Sequence, residues 1–366
     1  MRITFVLPTV SLRGGIRSTA TLANRLQKRG HSVFAVSVPR RPPSLRDRVR
    51  TLLGRNKFVP PSSNSHFDYI DVPLHTLARR RPVEDRDVPD ADVVVATWWE
   101  TAEWVARLSA AKGIKTYFIR HHEIHDSQPI DRVMATYSLP MHKITTAQWM
   151  VDLMSNRYGD NCVSVVPNSV DTQLFYAPPR GKQPVPTVGM MYAKESWKGC
   201  DISLKAFSLA AQNIPGLRLI VFGIKDPVPE LPLPPGTEYI CQPPQETIRD
   251  IYSQCDAWLF GSRIEGFGLP ILEAMACRTP VIGTPAGAAP DFLADGAGIL
   301  VRPEDPEDMA RAIEQICHFS NLEWQAMSDR AYETIISYTW DDAAKLCEEA
   351  FITAIDRWRR GDFKTH

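Results

Sequence analysis

Short apolar runs without alternation, spaced by segments whose apolar residues recur every three to four positions, set the character of this chain. Residues 3–7 read Ile-Thr-Phe-Val-Leu, as a strand buried on both faces does, and 16–29 carry a helical repeat before a second strand run at 31–38. The turn at 11–15 between strand and helix ends in Gly14-Gly15. This opening predicts a βαβ unit at the head of a doubly wound α/β domain. Strand runs return at 92–97 and 115–119, and a second series starts with a strand at 187–191, a helix at 201–211 and strands at 238–241 and 281–283. The end of the chain predicts a helix with Thr339 as N-cap and an apolar face of Ala343, Cys347, Ala350, Phe351, Ala354 and Trp358.

A chain of 366 residues is too long for one comfortable core and suits two domains. The pattern divides it into a first domain at 1–170, a linker at 171–186 carrying Pro178, Pro179, Pro184 and Pro186, a second domain at 187–338, and a terminal helix at 339–366. The prolines predict a stiff, exposed connection. A later loop at 226–236 carries five prolines and predicts a plain connector.

Pro, Arg and Ser break the pattern between 40 and 90. There Arg40, Arg41, Arg46, Arg48, Arg50, Arg55 and Lys57 face the single Asp47, while Leu45, Val49, Leu52 and Leu53 recur at helical spacing. Such a basic amphipathic segment suits peripheral contact with an anionic membrane, at about 1 kcal/mol per basic residue, and a solvated loop fits equally well. Net charge is zero, yet residues 1–170 hold 24 Lys and Arg against 15 Asp and Glu, and the rest hold 18 against 27. The basic half suits an anionic partner such as a lipid phosphate, and no pattern here points to nucleic acid. Seven cysteines without a C-x-x-C pair indicate neither a disulfide framework nor a zinc site, which fits a reducing cytosol. The first apolar run is too short for a secretion leader, and no segment approaches the roughly 18 apolar residues of a membrane span. Asp85-Arg-Asp87 and Asp90-Ala-Asp92 have the look of metal-binding D-x-D pairs, but both precede a strand and read as loop charge.

The chemistry concentrates where Glu265 and Glu273 flank Gly266-Phe267-Gly268-Leu269-Pro270. Pro270 predicts the first residue of a helix, and Gly266 and Gly268 allow a sharp bend with amides aimed at an anion near the positive helix end. A diphosphate suits that end, with Glu265 on the loop beside its substituent and Glu273 one turn into the helix, ready to accept from a pair of hydroxyls. Taken alone, the pair also fits a glycine turn, a capped helix and two ordinary glutamates.

The longer stretch from Phe260 to Thr284, with Glu265, Glu273, Pro280 and the strand before Gly283, resembles the family 4 glycosyltransferases of the GT-B fold almost position by position. The resemblance implies retaining, metal-independent transfer of a sugar from a nucleotide-diphosphate-sugar donor, without a cofactor, between two Rossmann-like domains, with a terminal helix returning to the first. It places Glu265 beside the donor sugar, Glu273 on the ribose, and the backbone of Gly266, Phe267, Gly268 and Leu269 on the sugar and diphosphate. Gly14-Gly15 and Gly30-His31 match the family's opening, which brings Gly15 toward the donor phosphates. Residues 163–171 match the entry to its second domain, with Ser169 where Gly is usual.

Lys198 matches the family's phosphate lysine, a point charge for the leaving group. Many members carry an Arg after the glycine ending the preceding strand, where this chain has Gly189-Met190, so Arg263 is the candidate second cation. His121 and His122 follow the strand at 115–119 and share the register of the family's functional histidine, with Glu123 behind them. Thr284-Pro-Ala-Gly-Ala288 resembles its small loop near the donor, with Asp291 where Glu is common. The implied function is hexosyl-type transfer to a glycan or lipid-linked acceptor, in cell-surface polysaccharide or glycolipid synthesis at the cytoplasmic side of a membrane. An epimerase or phosphorylase on the same fold, and an inactive sugar-nucleotide-binding partner suggested by Met190, are the alternatives. The G-x-G-x-x-G of a dehydrogenase is absent after the first strand.

Overall fold

The computed structural model describes residues 1–11, 14–40, 65–125 and 128–363. The basic cluster from Arg41 to Lys57, with its apolar repeat, lies outside the described residues. The chain forms two compact units, one of residues 1–146, 150–166 and 344–366, the other of residues 147–149 and 167–343.

The first unit opens with β1 (Arg2–Val6), α1 (Gly14–Lys28) and β2 (Ser32–Ser37), then β3 (Leu74–Thr76), β4 (Val93–Ala96), α2 (Trp99–Arg107) and β5 (Ile114–Ile119). It continues through α3 (Ile130–Tyr137), β6 (His142–Thr145), α4 (Gln148–Tyr158) and β7 (Ser164–Val165). All seven strands are parallel, in the order β3-β2-β1-β4-β5-β6-β7, with Ile3 opposite both Val33 and Val93. Val93, Val94, Val95 and Ala96 are fully buried, so the continuous apolar run reflects a sheet covered on both faces. The D-x-D aspartates before β4 hold basic partners or a helix-end amide: Asp87 pairs with Arg81 at 2.6 Å, Asp90 with Lys112 at 2.8 Å and Asp92 with Arg2 at 2.9 Å, while Asp85 accepts from the Ser109 amide at 3.0 Å. α1 begins at Gly14, so the Gly-Gly pair forms the first residues of the helix instead of the turn before it.

The second unit runs β8 (Thr187–Tyr192), α5 (Cys200–Ala210), β9 (Arg218–Gly223), β10 (Glu238–Cys241), α6 (Ile248–Ser253) and β11 (Ala257–Phe260). Then come α7 (Leu269–Ala276), β12 (Val281–Gly283), α8 (Ala289–Leu293), β13 (Gly298–Leu300), α9 (Pro306–His318) and α10 (Asn321–Ile336). Its parallel sheet has the order β10-β9-β8-β11-β12-β13, so the winding reverses between β8 and β11. Ligands of such sheets lie outside the carboxyl ends of the strands at that reversal.

The proline-marked stretch at 171–186 is packed onto this unit instead of bridging in solvent. Phe175 is buried, Arg180 donates to the Cys255 carbonyl at 2.5 Å, and Lys182 donates to the carbonyls of Cys317 and Phe319 at 2.5 and 2.8 Å. α11 (Trp340–Arg360) is capped by Thr339, whose Oγ1 accepts from the Asp342 amide at 3.2 Å, and from Ala344 onward it belongs to the first unit. Ala343, Cys347, Ala350, Phe351 and Ala354 are buried as expected, but Trp358 is 54% exposed in a last turn rich in arginine. Glu348 anchors this helix by accepting from Arg29 at 2.6 and 2.7 Å and from His31 at 2.8 Å. Those bonds, Arg29 foremost, hold its carboxyl down at about 2. No described helix is long and apolar enough to cross a membrane.

Two glycines draw the loops after β8 and β11 together. Gly199 has φ +58°, and a Cβ there would stand 1.7 Å from the Gly261 carbonyl oxygen. A Cβ on Gly261 would meet Ser203 Oγ at 2.5 Å. Gly199→Ala is therefore expected to lower stability by more than about 2 kcal/mol, combining a backbone clash with a left-handed φ. An unchanged urea midpoint would show that the loops do not meet.

Burial pushes His142 and His122 down to about 4, helped at His142 by Arg357 and at His122 by Arg157 and His121. The unfolded rings titrate near 6.5, so between about 6.5 and 4 only the unfolded chain takes up these protons, and stability falls as pH drops through that window. Urea unfolding from pH 7 to 4 should show the fall, and His142→Gln should flatten it by up to about 1.4 kcal/mol per pH unit. A variant curve parallel to that of the wild type would mean that His142 is protonated before unfolding.

Candidate functional site

At the reversal of the second sheet, a pocket is lined by Met190, Met191, Lys198, Cys200, Trp258, Gly261, Ser262, Glu265 and Pro270, among others. Lys198 ends a short 3-10 turn, Ser196–Lys198, between β8 and α5. The Arg263 and Ile264 amides donate to the Trp197 carbonyl at 2.8 and 3.3 Å, which fastens the turn to the loop after β11. Across that junction Lys198 Nζ meets Glu265 Oε1 at 2.6 Å, and Ser262 Oγ donates to the same oxygen at 2.9 Å. Glu265 is thus a paired carboxylate in a partly buried position, with its lysine 26% exposed.

The glycine run behaves as a helix entry. Gly268 is the N-cap of α7 with φ +100°, a backbone state that favours glycine, whereas Gly266 needs no such conformation. Leu269 is the first helical residue and Pro270 the second, one position later than expected. Pro270 still lacks only an amide that the first turn leaves unpaired. Among the described residues, no backbone carbonyl or side chain accepts from the amides of Gly266, Phe267 or Gly268. The Phe267 carbonyl accepts from the Ala288 amide at 2.9 Å. The Phe267 ring is buried against Phe292, with centroids 5.5 Å apart. The loop at 284–288 therefore braces the glycine run from behind, and Thr284 Oγ1 also donates to the Ser262 carbonyl. Glu273 lies buried inside α7, and the buried Tyr252 hydroxyl donates to its Oε2 at 3.0 Å.

Two assignments are corrected. β8 does not end at Gly189 but runs on to Tyr192, and Met190 is 1% exposed, a core side chain. Gly189 makes room for Trp258, whose ring would be 2.5 Å from a Cβ there. The position just past the strand is Ala193, whose amide donates to Cys200 Sγ at 3.2 Å, followed by the exposed Lys194. The second correction concerns Arg263, whose guanidinium is held by Asp201 and Glu304 and does not stand free as a second cation. Tyr252, Ser262 and Cys200 went unread in the sequence: nothing in the spacing ties Tyr252 to Glu273, and Ser262 lies in the motif without a signal of its own.

In the first unit, His121 and His122 follow β5 as expected. His122 Nε2 bonds the Tyr158 hydroxyl at 3.0 Å, and its ring packs 5.6 Å from that of Tyr137. With its pKa down at about 4 the ring is neutral at pH 7. Glu123 is a buried group that accepts from the Trp99 amide at 3.1 Å, and its backbone amide donates to Tyr137. Burial drives its carboxyl well above the usual range, and it serves as a structural group at the head of α2. Gly15 sits in the first turn of α1 with open space where a side chain would be. Lys198, Glu265, Glu273 and the 266–269 backbone thus gather on the second unit, and Gly15, His121 and His122 on the first.

The model for glycosyl transferases group 1 matches residues 179–334, and that for glycosyltransferase family 4 matches residues 12–174. A D-inositol 3-phosphate glycosyltransferase of Stackebrandtia nassauensis is 25% identical over 296 residues, covering 72% of this chain and 66% of the relative. Other curated relatives are matched over as little as 25% of their length. Among solved structures, sucrose-phosphate synthase from Thermosynechococcus elongatus aligns with a TM-score of 0.72 and 17% identity, covering 96% of this chain and 98% of that one. The Anabaena HepE protein in complex with UDP-glucose aligns with a TM-score of 0.70 and 17% identity, over 96% and 99%. With two Rossmann-like parallel-sheet units and both family models matched in sequence order, the chain belongs to the family 4, group 1 glycosyltransferases of the GT-B fold.

Proposed function

We propose that the protein is a retaining glycosyltransferase that moves a sugar from a nucleotide-diphosphate donor to a hydroxyl acceptor without a metal ion. The observation that carries this reading is the Lys198–Glu265 ion pair at the sheet reversal, beside the unpartnered amides at the entry of α7. Transfer breaks the bond from the anomeric carbon to the diphosphate oxygen and forms one to the acceptor oxygen on the same face, with the acceptor proton passing to the departing phosphate. Negative charge grows on the diphosphate, where Lys198 and the α7 amides stabilise it. Positive charge grows on the sugar, beside Glu265. Glu273, oriented by Tyr252, receives the ribose hydroxyls.

The Anabaena neighbour solved with UDP-glucose supports a uridine donor, and the inositol-phosphate relatives and basic first half support an anionic acceptor, such as a phosphorylated polyol or a lipid-linked glycan. The acceptor would come from cell-surface glycan or glycolipid synthesis at the cytoplasmic face of a membrane. On the first unit we assign the acceptor-side role to the neighbouring pair His121 and His122, which follow β5. The inactive-partner reading rests on the missing arginine: Met190 is a core side chain, and Ala193, just past the strand, is no cation either.

Thermal unfolding with UDP, GDP, ADP, CMP and dTDP tests the donor site, since a ligand at 100 times its dissociation constant adds about 2.7 kcal/mol. One nucleotide should raise Tm clearly, and Glu273→Ala should abolish the rise; a flat response to all five would sink the reading. Glu265→Ala should lower kcat by on the order of a hundredfold or more while nucleotide affinity stays level or tightens, because Lys198 is released for the diphosphate. Weakened nucleotide binding in that variant would make Glu265 structural.

A further inference from the structure

We infer that Arg263 is a positioning residue, a clasp that fixes the Glu265 loop against the Lys198 turn, and not a donor-binding cation. The inference rests on the transfer reaction proposed for this site. A guanidinium has five N–H donors, and here each has an acceptor. Nε and Nη2 grip Glu304 at 2.5 and 2.9 Å, Nη1 and Nη2 grip Asp201 at 2.8 and 2.7 Å, and Nη1 also donates to the Ser196 carbonyl at 2.5 Å. Nothing is left for a phosphate. The trio of one cation and two carboxylates carries a net negative charge, which disfavours a diphosphate at that spot.

Three separate segments meet on this one side chain. Ser196 lies in the Lys198 turn, Asp201 in the first turn of α5, and Glu304 in the connection between β13 and α9. Glu304 is held at φ +56°, unusual for a residue with a side chain, so its backbone takes a disfavoured state while its carboxylate reaches Arg263. Arg263 also donates its own amide to Trp197, the residue before Lys198. Two bidentate forks on one guanidinium fix direction as well as distance. Lysine, a single point charge, cannot reproduce them. The quantity set by the clasp is the 2.6 Å approach of Lys198 to Glu265.

The test uses the full chain with Arg263→Met, Arg263→Lys and Glu304→Gly, the last removing the carboxylate while relieving the backbone. Hydrogen exchange over residues 194–200 and 260–268 should speed up in both Arg263 variants, with the rest of the second unit unchanged. With the nucleotide that stabilises the wild type, the dissociation constant should stay within about threefold. kcat should drop by about thirty- to a hundredfold, as a misplaced reacting geometry does, and Lys should not rescue it. Glu304→Gly should give a smaller drop in the same direction. A tenfold weakening of nucleotide binding in Arg263→Met that Lys restores would overturn the proposal in favour of a donor cation. Unchanged exchange in both loops, or kcat within twofold of wild type, would overturn it as well. If the wild type transfers no sugar from any donor, the transfer reading fails, and the exchange measurement still decides whether the clasp exists.

Discussion

The backbone contact between Gly199 and Gly261 is the constraint on which the candidate site depends. The carbonyl of Gly261 occupies the space a side chain at 199 would fill, so the loops after β8 and β11 approach more closely there than a residue with a side chain at 199 permits. Without that approach, a lysine after one strand and a glutamate after another would be two solvated side chains. With it, they form a 2.6 Å ion pair at the place where a doubly wound sheet accepts ligands. The left-handed φ at Gly199 adds a second reason for glycine, since it turns the chain from the 3-10 turn into α5 immediately after Lys198.

Around this contact the surrounding groups are already oriented before any ligand arrives. Ser262 donates to Glu265, Tyr252 donates to Glu273, and the loop at 284–288 braces the glycine run through Phe267 and Ser262. Preorganised donors need no rearrangement when charge develops, which is the condition under which they contribute most to lowering a barrier. The cations divide the work by chemistry. Arginine, with five fixed donors, stands where three segments are held in direction, and lysine, with a compact charge on a flexible stem, beside the single carboxylate of Glu265.

Much of the fold was legible because strands buried on both faces leave continuous apolar runs, and β1, β4, β5, β8 and β10 fall within a residue or two of their expected bounds. The same signal blurs strand ends. Gly-Met-Met-Tyr is apolar throughout, so nothing in it marks Tyr192 as the last strand residue, and Met190 was mistaken for a ligand position. Prolines at 178, 179, 184 and 186 show where the chain is stiff but not what it lies on, and the packing of 171–186 depends on Asp256, Cys255 and Cys317, far along the sequence. Arg263 is legible as a cation near the motif, but its direction is not, because its partners Asp201 and Glu304 are 62 and 41 residues away. Motif spacing finds groups that act together within one loop and helix; it is blind to partners that tertiary packing supplies.

The two glutamates of the motif differ in a way their shared residue type conceals. Glu265 is balanced by a cation, and in the proposed transfer an arriving diphosphate would compete for that same cation, coupling donor binding to the electrostatic state of Glu265 through Lys198. Were Lys198 to turn toward the diphosphate, Glu265 would be left with Ser262 as a donor and with more of its charge unopposed. In the proposed transfer, that is when a neighbouring sugar would begin to carry positive charge. Glu273 has a neutral phenol as partner, one that no anion displaces, and it sits inside a helix where its backbone is fixed. In that proposed reaction one carboxylate would change partners and the other would keep its orientation, a division that follows from what each accepts a hydrogen bond from.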